Sequence, residues 1–236
     1  MEGGPNPVRV GEEYKKFLRT NTILGNIFAN ITLAKGLDFR TSIGVNNVEQ
    51  KTDEYAGREL SFIGTNTNGY AERSANEYTS WQFENYLTYN KEIADTHSIT
   101  GLLGISWQHI NNTAFSARAE NFSDDFFSFD NLGAGSVVGN PTSSAFAYGL
   151  NSYFGRINYG LQNKYLLTVT GRVDGSSKFG DTNRYAFFPS AALAWKVSEE
   201  NFLKESKTIS NLKLRASYGV TGNSEIPAYG ALPIFR

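Results

Sequence analysis

The sequence predicts an all-β chain of about eight antiparallel strands that forms a segment of a transmembrane β-barrel. Three observations carry this expectation. Apolar residues recur at every second position through segments of about 10–14 residues. Short turns alternate with long polar loops along the chain. One face of the segments gathers arginine and lysine, while the other carries aliphatic residues with aromatics toward the ends.

The first segment, 22–34, places Ile23, Ile27, Ala29, Ile31 and Leu33 on one face, with Asn26, Asn30, Thr32 and Phe28 on the other. The second, 37–49, opposes Leu37, Phe39, Ile43 and Val45 to Asp38, Arg40 and Ser42. In 77–90, Trp81, Phe83, Leu87 and Tyr89 alternate with Gln82, Glu84 and Thr88; in 97–110, Ile99, Leu103, Ile105 and Trp107 alternate with Ser98, Thr100, Ser106 and Gln108. Segment 148–161 opposes Tyr153, Ile157 and Tyr159 to Ser152, Arg156 and Asn158. Segment 164–174 opposes Tyr165, Leu167, Val169 and Val173 to Thr168, Thr170, Arg172 and Asp174. Segment 184–197 sets Tyr185, Phe187, Leu193, Trp195 and Val197 against Arg184, Ser190 and Lys196. Segment 211–221 sets Leu212, Leu214, Ala216, Tyr218 and Val220 against Lys213, Arg215, Ser217 and Thr221.

Short turns follow the first, third and fifth segments, at 34–36, 91–96 and 161–163. Long polar loops at 50–76 and 111–147 follow the second and fourth, and a medium one at 175–183 follows the sixth. The stretch 198–210 has room for a helical turn near Glu199–Lys204. Short connections at one edge and long ones at the other match periplasmic turns and extracellular loops. Arg40, Arg156, Arg172, Lys213 and Arg215 on the polar face suit a wet lumen, and Trp81, Trp107, Tyr153, Tyr165, Tyr185, Trp195 and Tyr218 suit interfacial girdles. A β-sandwich also alternates, but its strands run to ~5–6 residues, whereas a tilted membrane strand needs ~9–11.

Composition excludes other classes. Twenty-two Lys+Arg against 23 Asp+Glu leave no basic field for nucleic acid and no acidic tail. The absence of cysteine removes disulfides, Cys-ligated zinc, iron–sulfur clusters and thiol nucleophiles. No run approaches the ~18–20 apolar residues of a membrane helix. The opening Met1-Glu2-Gly3-Gly4-Pro5 has no charged-then-apolar run, so no signal peptide is expected within the chain.

Candidate chemical motifs mostly reduce to loop features. Gly133-Ala134-Gly135-Ser136-Val137-Val138-Gly139 lacks the spacing, preceding strand and following helix of a dinucleotide site, and reads as a mobile loop. Asp124, Asp125 and Asp130 sit in an aromatic-rich loop, Phe122–Phe129, and read as solvated acids rather than converging catalytic or calcium-binding carboxylates. That mix of Phe, Asp and Asn is compatible with stacking on sugars and equally with contact to a partner protein. His97 and His109 share a face of one strand but stand ~40 Å apart at ~3.4 Å per residue, too far to share a metal. The sequons at Asn111 and Asn121 read as chance. No catalytic, metal or cofactor residues are expected.

Between 171 and 223 the blocks Asp174-Gly175-Ser176-Ser177, Phe179-Gly180, Phe188-Pro189-Ser190, Ala194-Trp195, Ser198-Glu199-Glu200, Leu212-Lys213-Leu214-Arg215 and Gly222-Asn223 closely resemble the SusC/RagA family of TonB-linked outer-membrane proteins of Bacteroidetes. Asn6-Pro7 and the hairpin at 22–45 resemble it more loosely. The resemblance implies location in the outer membrane, in contact with its lipid, and a barrel of about 22 strands plugged by an N-terminal domain. It also implies a SusD-like surface lipoprotein as a lid, energy through the TonB complex, and glycan or peptide substrates. Residues 1–236 are then expected to be a partial barrel domain, with signal peptide, plug, TonB-contacting segment and further strands missing and the end at Leu232–Arg236 inside a loop. Binding and conduction, without catalysis, is the expected role.

Within the blocks, Asp174-Gly175-Ser176-Ser177 has turn chemistry, and Pro189 predicts a bulge or locally broken pairing. The rival expectation is an extracellular glycan-binding or glycan-active β-sandwich. It requires Ile157, Val169, Leu193 and Leu214 to be buried between two sheets.

Overall fold

The computed structural model describes residues 7–60, 67–94, 96–180, 184–206 and 208–230. Asn6, residues 181–183 and residues 232–236, on which parts of the sequence reading rest, lie outside them. Among the described residues, a short helix α1 (Pro7–Glu13) precedes nine strands. These are β1 (Tyr14–Ala34), β2 (Leu37–Ala56), β3 (Tyr70–Ile93), β4 (His97–Phe122), β5 (Gly135–Val138), β6 (Thr142–Leu161), β7 (Tyr165–Ser176), β8 (Tyr185–Lys196) and β9 (Lys213–Gly219). They form one sheet in the order β1-β2-β3-β4-β6-β7-β8-β9, with β5 paired to β4. No helix among the described residues is long and apolar enough to cross a membrane, which leaves crossing by strands untouched.

All eight expected strands are present, but β1 to β4 are longer than their alternation predicted. They run on through 14–21, 50–56, 70–76 and 111–122, so the connections shrink to 57–69 and 123–141. Besides two 3-10 turns at Ser128–Asp130 and Leu132–Ala134, two elements were not anticipated. One is α1; the other is β5, which occupies part of the glycine-rich stretch expected to be a mobile loop. There Ala119 pairs with Val138 and Phe122 with Gly135. A Cβ on Gly135 would lie 2.8 Å from the Glu120 carbonyl oxygen, so the glycines serve close strand approach.

The turns follow local chemistry. Gln162 and Asn163 both take positive φ (52° and 54°), and the Lys164 N–H donates to the Leu161 carbonyl at 3.0 Å. This is the type I′ geometry whose twist matches the flanking strands. The expected helical turn appears as a 3-10 turn at Val197–Glu199, after which the Leu203 and Lys204 N–H groups donate to the Glu200 carbonyl.

Pro189 does not bulge β8. It faces Gly171 of β7 in unbroken register, and its carbonyl points the other way, accepting from the Val220 N–H at 3.0 Å. In an antiparallel ladder a residue's N–H and C=O point to the same neighbour. The missing donor therefore falls on the β9 side, where that strand has already ended at Gly219.

The chain divides into two compact units. Unit 1 comprises residues 1–24, 46–80 and 110–147; unit 2 comprises 25–45, 81–109 and 148–236. Unit 1 has a small core of Tyr55, Ala71, Ala119 and Phe122, with Phe129 and Leu132 packed on it. In unit 2 the only buried hydrophobic residue among those described is Val197, while Ser42, Ser152 and Ser176 are buried. A sheet that buries serines and exposes its aliphatics cannot be held by a water-driven core.

Candidate lipid-facing and lumen-facing surfaces

The register of β6 to β9 in unit 2 assembles one continuous apolar face. Ile157 stands opposite Val169, Val169 opposite Ala191 and Ala191 opposite Tyr218. The next row joins Tyr159, Leu167, Leu193 and Ala216, and the one after it Leu161, Tyr165, Trp195 and Leu214. Ile157 is 59 % exposed, Val169 46 %, Leu193 61 % and Leu214 55 %. The four residues that a sandwich must bury therefore lie open on one face of a single sheet, and the sandwich reading fails.

Aromatics close this band at both ends. Tyr165 and Trp195 stack with ring centroids 6.4 Å apart at the turn end, while Phe187 and Tyr185 stand at the loop end. From Tyr185 to Trp195 the strand covers ~33 Å at ~3.3 Å per residue, which at a tilt of ~40° gives a band ~25 Å tall. That is the height of the apolar belt of an outer-membrane barrel. Tyr218 departs from the expectation, since its register with Ala191 puts it mid-band.

At the turn end the belt is tied to the loop that follows β8. The Glu200 carboxylate accepts hydrogen bonds from the Tyr165 hydroxyl (2.6 Å), the Trp195 indole N–H (3.1 Å) and the Lys164 ammonium (3.3 Å). The Tyr165 hydrogen bond above all, then that of Trp195, lowers the Glu200 pKa from its ordinary value of 4.5. Because the folded pKa is depressed, the clamp contributes fully above that ordinary value and is lost as pH falls through the lowered one. The Trp195 indole N–H resonance of the full-length protein should shift with a midpoint below 4.5, and the shift should vanish in Glu200→Gln. An identical titration in the variant would show that Glu200 is not the group involved.

The opposite face of unit 2 is polar and internally bonded. Arg172 donates through Nε to both oxygens of Asp174 (2.7 and 2.8 Å) and through Nη2 to Ser152 (2.9 Å), and its guanidinium lies 5.5 Å from the Phe154 ring centroid. Arg156 donates to Thr170, and Thr168 to Asn158. Arg40 lies 4.5 Å over the Phe28 ring. Of the five expected cations, Arg156 stands opposite Thr170 and Arg172 opposite Phe154, which makes them diagonal neighbours in register. Lys213 faces Lys196 directly, and Arg215 faces Ala194. The aromatic rings of Phe28 and Phe154 on this face were not expected as partners, because alternation alone does not distinguish a lumen ring from a lipid-facing one.

Unit 1 has a different chemistry at the same parity. On β2, Leu37, Phe39, Ile43 and Val45 belong to unit 2, whereas Asn47, Glu49, Lys51 and Asp53 belong to unit 1. Within unit 1, Asn21 donates to Glu49, and Asn47 to Glu77 and Thr79. Asp53, its side chain only 4 % exposed, accepts from Arg19 and Arg73 at 2.7 Å each. Arg19 and Arg73, whose side chains are 67 % and 45 % exposed, face water rather than hydrocarbon, since two guanidiniums in lipid would be expensive. Other residues of unit 1 form two further clusters: Tyr14 and Lys16 donate to Glu54, and Ser116 and Tyr70 donate to Glu72.

The three loop aspartates separate in role. Asp125 is exposed, as expected of a solvated loop acid, but it also anchors the loop: it accepts from the Tyr55 hydroxyl (2.6 Å) and from the Arg58 backbone N–H and Nε (3.2 Å each). Partial burial alone would raise its pKa, but the Tyr55 and Arg58 hydrogen bonds outweigh burial and lower it. Asp124 accepts the Phe126 N–H at 3.0 Å, and Asp130 stands 4.0 Å from Arg73. The partners of Asp125 lie about 70 residues upstream, out of reach of any local pattern. His97 bonds Tyr159 and His109 stacks on Trp81, each with its own partner.

An open apolar band ended by aromatics, backed by a bonded polar face, defines a membrane β-barrel wall. The chain belongs to the TonB-dependent receptor-like β-barrel family, whose model matches residues 5–232. It is 38 % identical over 230 residues to TonB-dependent receptor P3 of Formosa agariphila, covering 98 % of this chain and 23 % of that protein. It is 53 % identical over 87 residues to TonB-dependent receptor SusC of Bacteroides thetaiotaomicron, covering 36 % and 9 %. Among solved structures, the RagAB peptide transporter superposes with a TM-score of 0.84 at 28 % identity, over 93 % of this chain and 24 % of that one. The chain thus spans about a quarter of the length of P3 and of the RagAB chain.

Proposed function

We propose that residues 1–236 are part of the barrel domain of a TonB-dependent outer-membrane transporter that imports glycans or other oligomeric nutrients together with a SusD-like surface lipoprotein. The observation that carries this reading is the inside-out sheet of unit 2, with Ile157, Val169, Leu193 and Leu214 toward lipid and Arg156, Arg172 and Asp174 toward a wet lumen. The long loops would meet ligand and lipoprotein, and the role is binding and conduction, driven through the TonB complex by parts of the protein outside this chain. Similarity to the RagAB peptide transporter supports import of an oligomeric cargo.

The test is an in-frame deletion of the complete gene in its own bacterium, complemented with the complete gene. Growth on one class of oligosaccharide or peptide as sole carbon source should fail, while growth on the corresponding monomers is unchanged. Normal growth on every oligomer tried would refute the uptake role.

A further inference from the structure

One connection at the turn end of unit 2 is far longer than a strand reversal requires. Residues 35–36 join β1 to β2 and residues 162–164 join β6 to β7, whereas β8 and β9 are joined through 197–212. Two residues suffice to reverse a hairpin. The base of the long connection is closed by the Ser198 N–H on the Leu212 carbonyl at 3.1 Å, beside the buried Val197. The Leu203 and Lys204 N–H groups then both donate to the Glu200 carbonyl at 2.9 Å, which makes 200–204 one tight turn.

The Glu200 carboxylate fixes where that turn sits. Tyr165 and Trp195, which it bonds by their polar tips, belong to the apolar face, so the turn is held on the lipid side of the sheet. It is tied to β7 and β8, away from the free edge of β9, and anything that fills the lumen lies behind the sheet. Phe202, in the middle of the turn, is 71 % exposed, and Lys204 is exposed two residues on, while Leu203 between them is half-buried. The rim of an apolar band marked by a Tyr–Trp pair is the level where headgroups meet acyl chains.

We propose that the turn 200–204 is a foot resting on the periplasmic leaflet, with the Phe202 ring in the headgroup–acyl boundary and the Lys204 ammonium on a phospholipid phosphate. Phospholipid is the occupant because the foot is continuous with the apolar band and bonded to the last aromatic pair of that band. The carboxylate clamp orders the turn before it meets lipid, which lowers the entropic cost of insertion. The inference rests on the proposed function in one respect: the apolar face of unit 2 must meet a membrane.

The experiment measures the depth of spin labels on the full-length receptor in vesicles of phosphatidylethanolamine and phosphatidylglycerol. Phe202→Cys carries a nitroxide, with any other cysteine replaced by serine. Its collision rate with oxygen, which concentrates among acyl chains, is compared with that for a nickel chelate, which stays in water. Leu193→Cys, labelled in the same way, marks the band. The label at 202 should lie about 5–10 Å into the boundary region, shallower than the label at 193. Glu200→Ala frees the turn and should return the 202 label to water while the 193 label stays in lipid. A 202 label in water with Glu200 in place would overturn the foot, and a 193 label still in lipid would leave the transporter reading standing. A 193 label in water would overturn both. Immersion at 202 that survives Glu200→Ala would overturn the foot as a clamped element.

Discussion

Leu193→Arg in the full-length receptor should destabilise the folded barrel in a bilayer by about 1–3 kcal/mol, somewhat less than a cation costs at the midplane of a barrel's lipid face, because the site lies toward the turn end of the band. Leu193 sits on the apolar face between Leu167 and Ala216, two residues inside the Trp195 girdle, with open surroundings that hydrocarbon would fill. A guanidinium there has no water and no carboxylate within its row. Ala192→Arg, one residue away, supplies the control. Its side chain lies on the other face, between Thr168 and Ser217, where water and hydroxyls surround it. Its cost should stay within about 0.5–1 kcal/mol. Denaturant titration of each variant in lipid vesicles measures the difference. Equal midpoints for the two variants would mean that the two faces share one solvent, and the membrane reading of unit 2 would fail.

The same contrast explains which parts of the fold were legible in the sequence. The segments predicted at 148–161, 164–174, 184–197 and 211–221 reappear as β6 to β9 with ends displaced by a few residues at most sites. There, one face meets lipid and the other a polar lumen, so the pattern along the chain is strong. The far halves of β2 to β4 were read as loop because polar residues stand at both parities there. In β2, Lys51 and Asp53 alternate with Gln50, Thr52 and Glu54, and a period of two is nearly invisible between polar residues. Those halves are held instead by cross-strand bonds such as Arg19–Asp53–Arg73, which link residues 20 and 34 positions apart. β5 escaped notice for a related reason: Gly135 fits by close backbone approach to β4, and a glycine-rich stretch carries no alternation. The loop after β4 was visible as a composition, Phe with Asp, but its anchoring depended on Tyr55 and Arg58 from a distant strand end.

Gly36→Val should cost about 2–4 kcal/mol, from backbone rather than solvent. The β1–β2 connection is two residues long, and Gly36 takes φ +79°. A β-branched residue in that region loses ~1–2 kcal/mol on sterics alone. The added Cβ would also lie 2.3 Å from the carbonyl oxygen of Asn90 in β3. That oxygen cannot retreat cheaply, because the Asn90 N–H donates to the Gly36 carbonyl at 2.7 Å and any shift of the strand breaks the bond, worth ~1 kcal/mol more. Gly101, in β4, gives the opposite outcome. Nothing stands within 4 Å of its notional Cβ and its φ is not positive, so Gly101→Val should be neutral or slightly stabilising, as β-branched residues are in strands. Folded fraction after refolding of the full-length protein into vesicles should therefore fall sharply for Gly36→Val and hold for Gly101→Val. A comparable loss in both would show that glycine is needed at these sites for something other than the tight approach of one hairpin turn to its neighbouring strand.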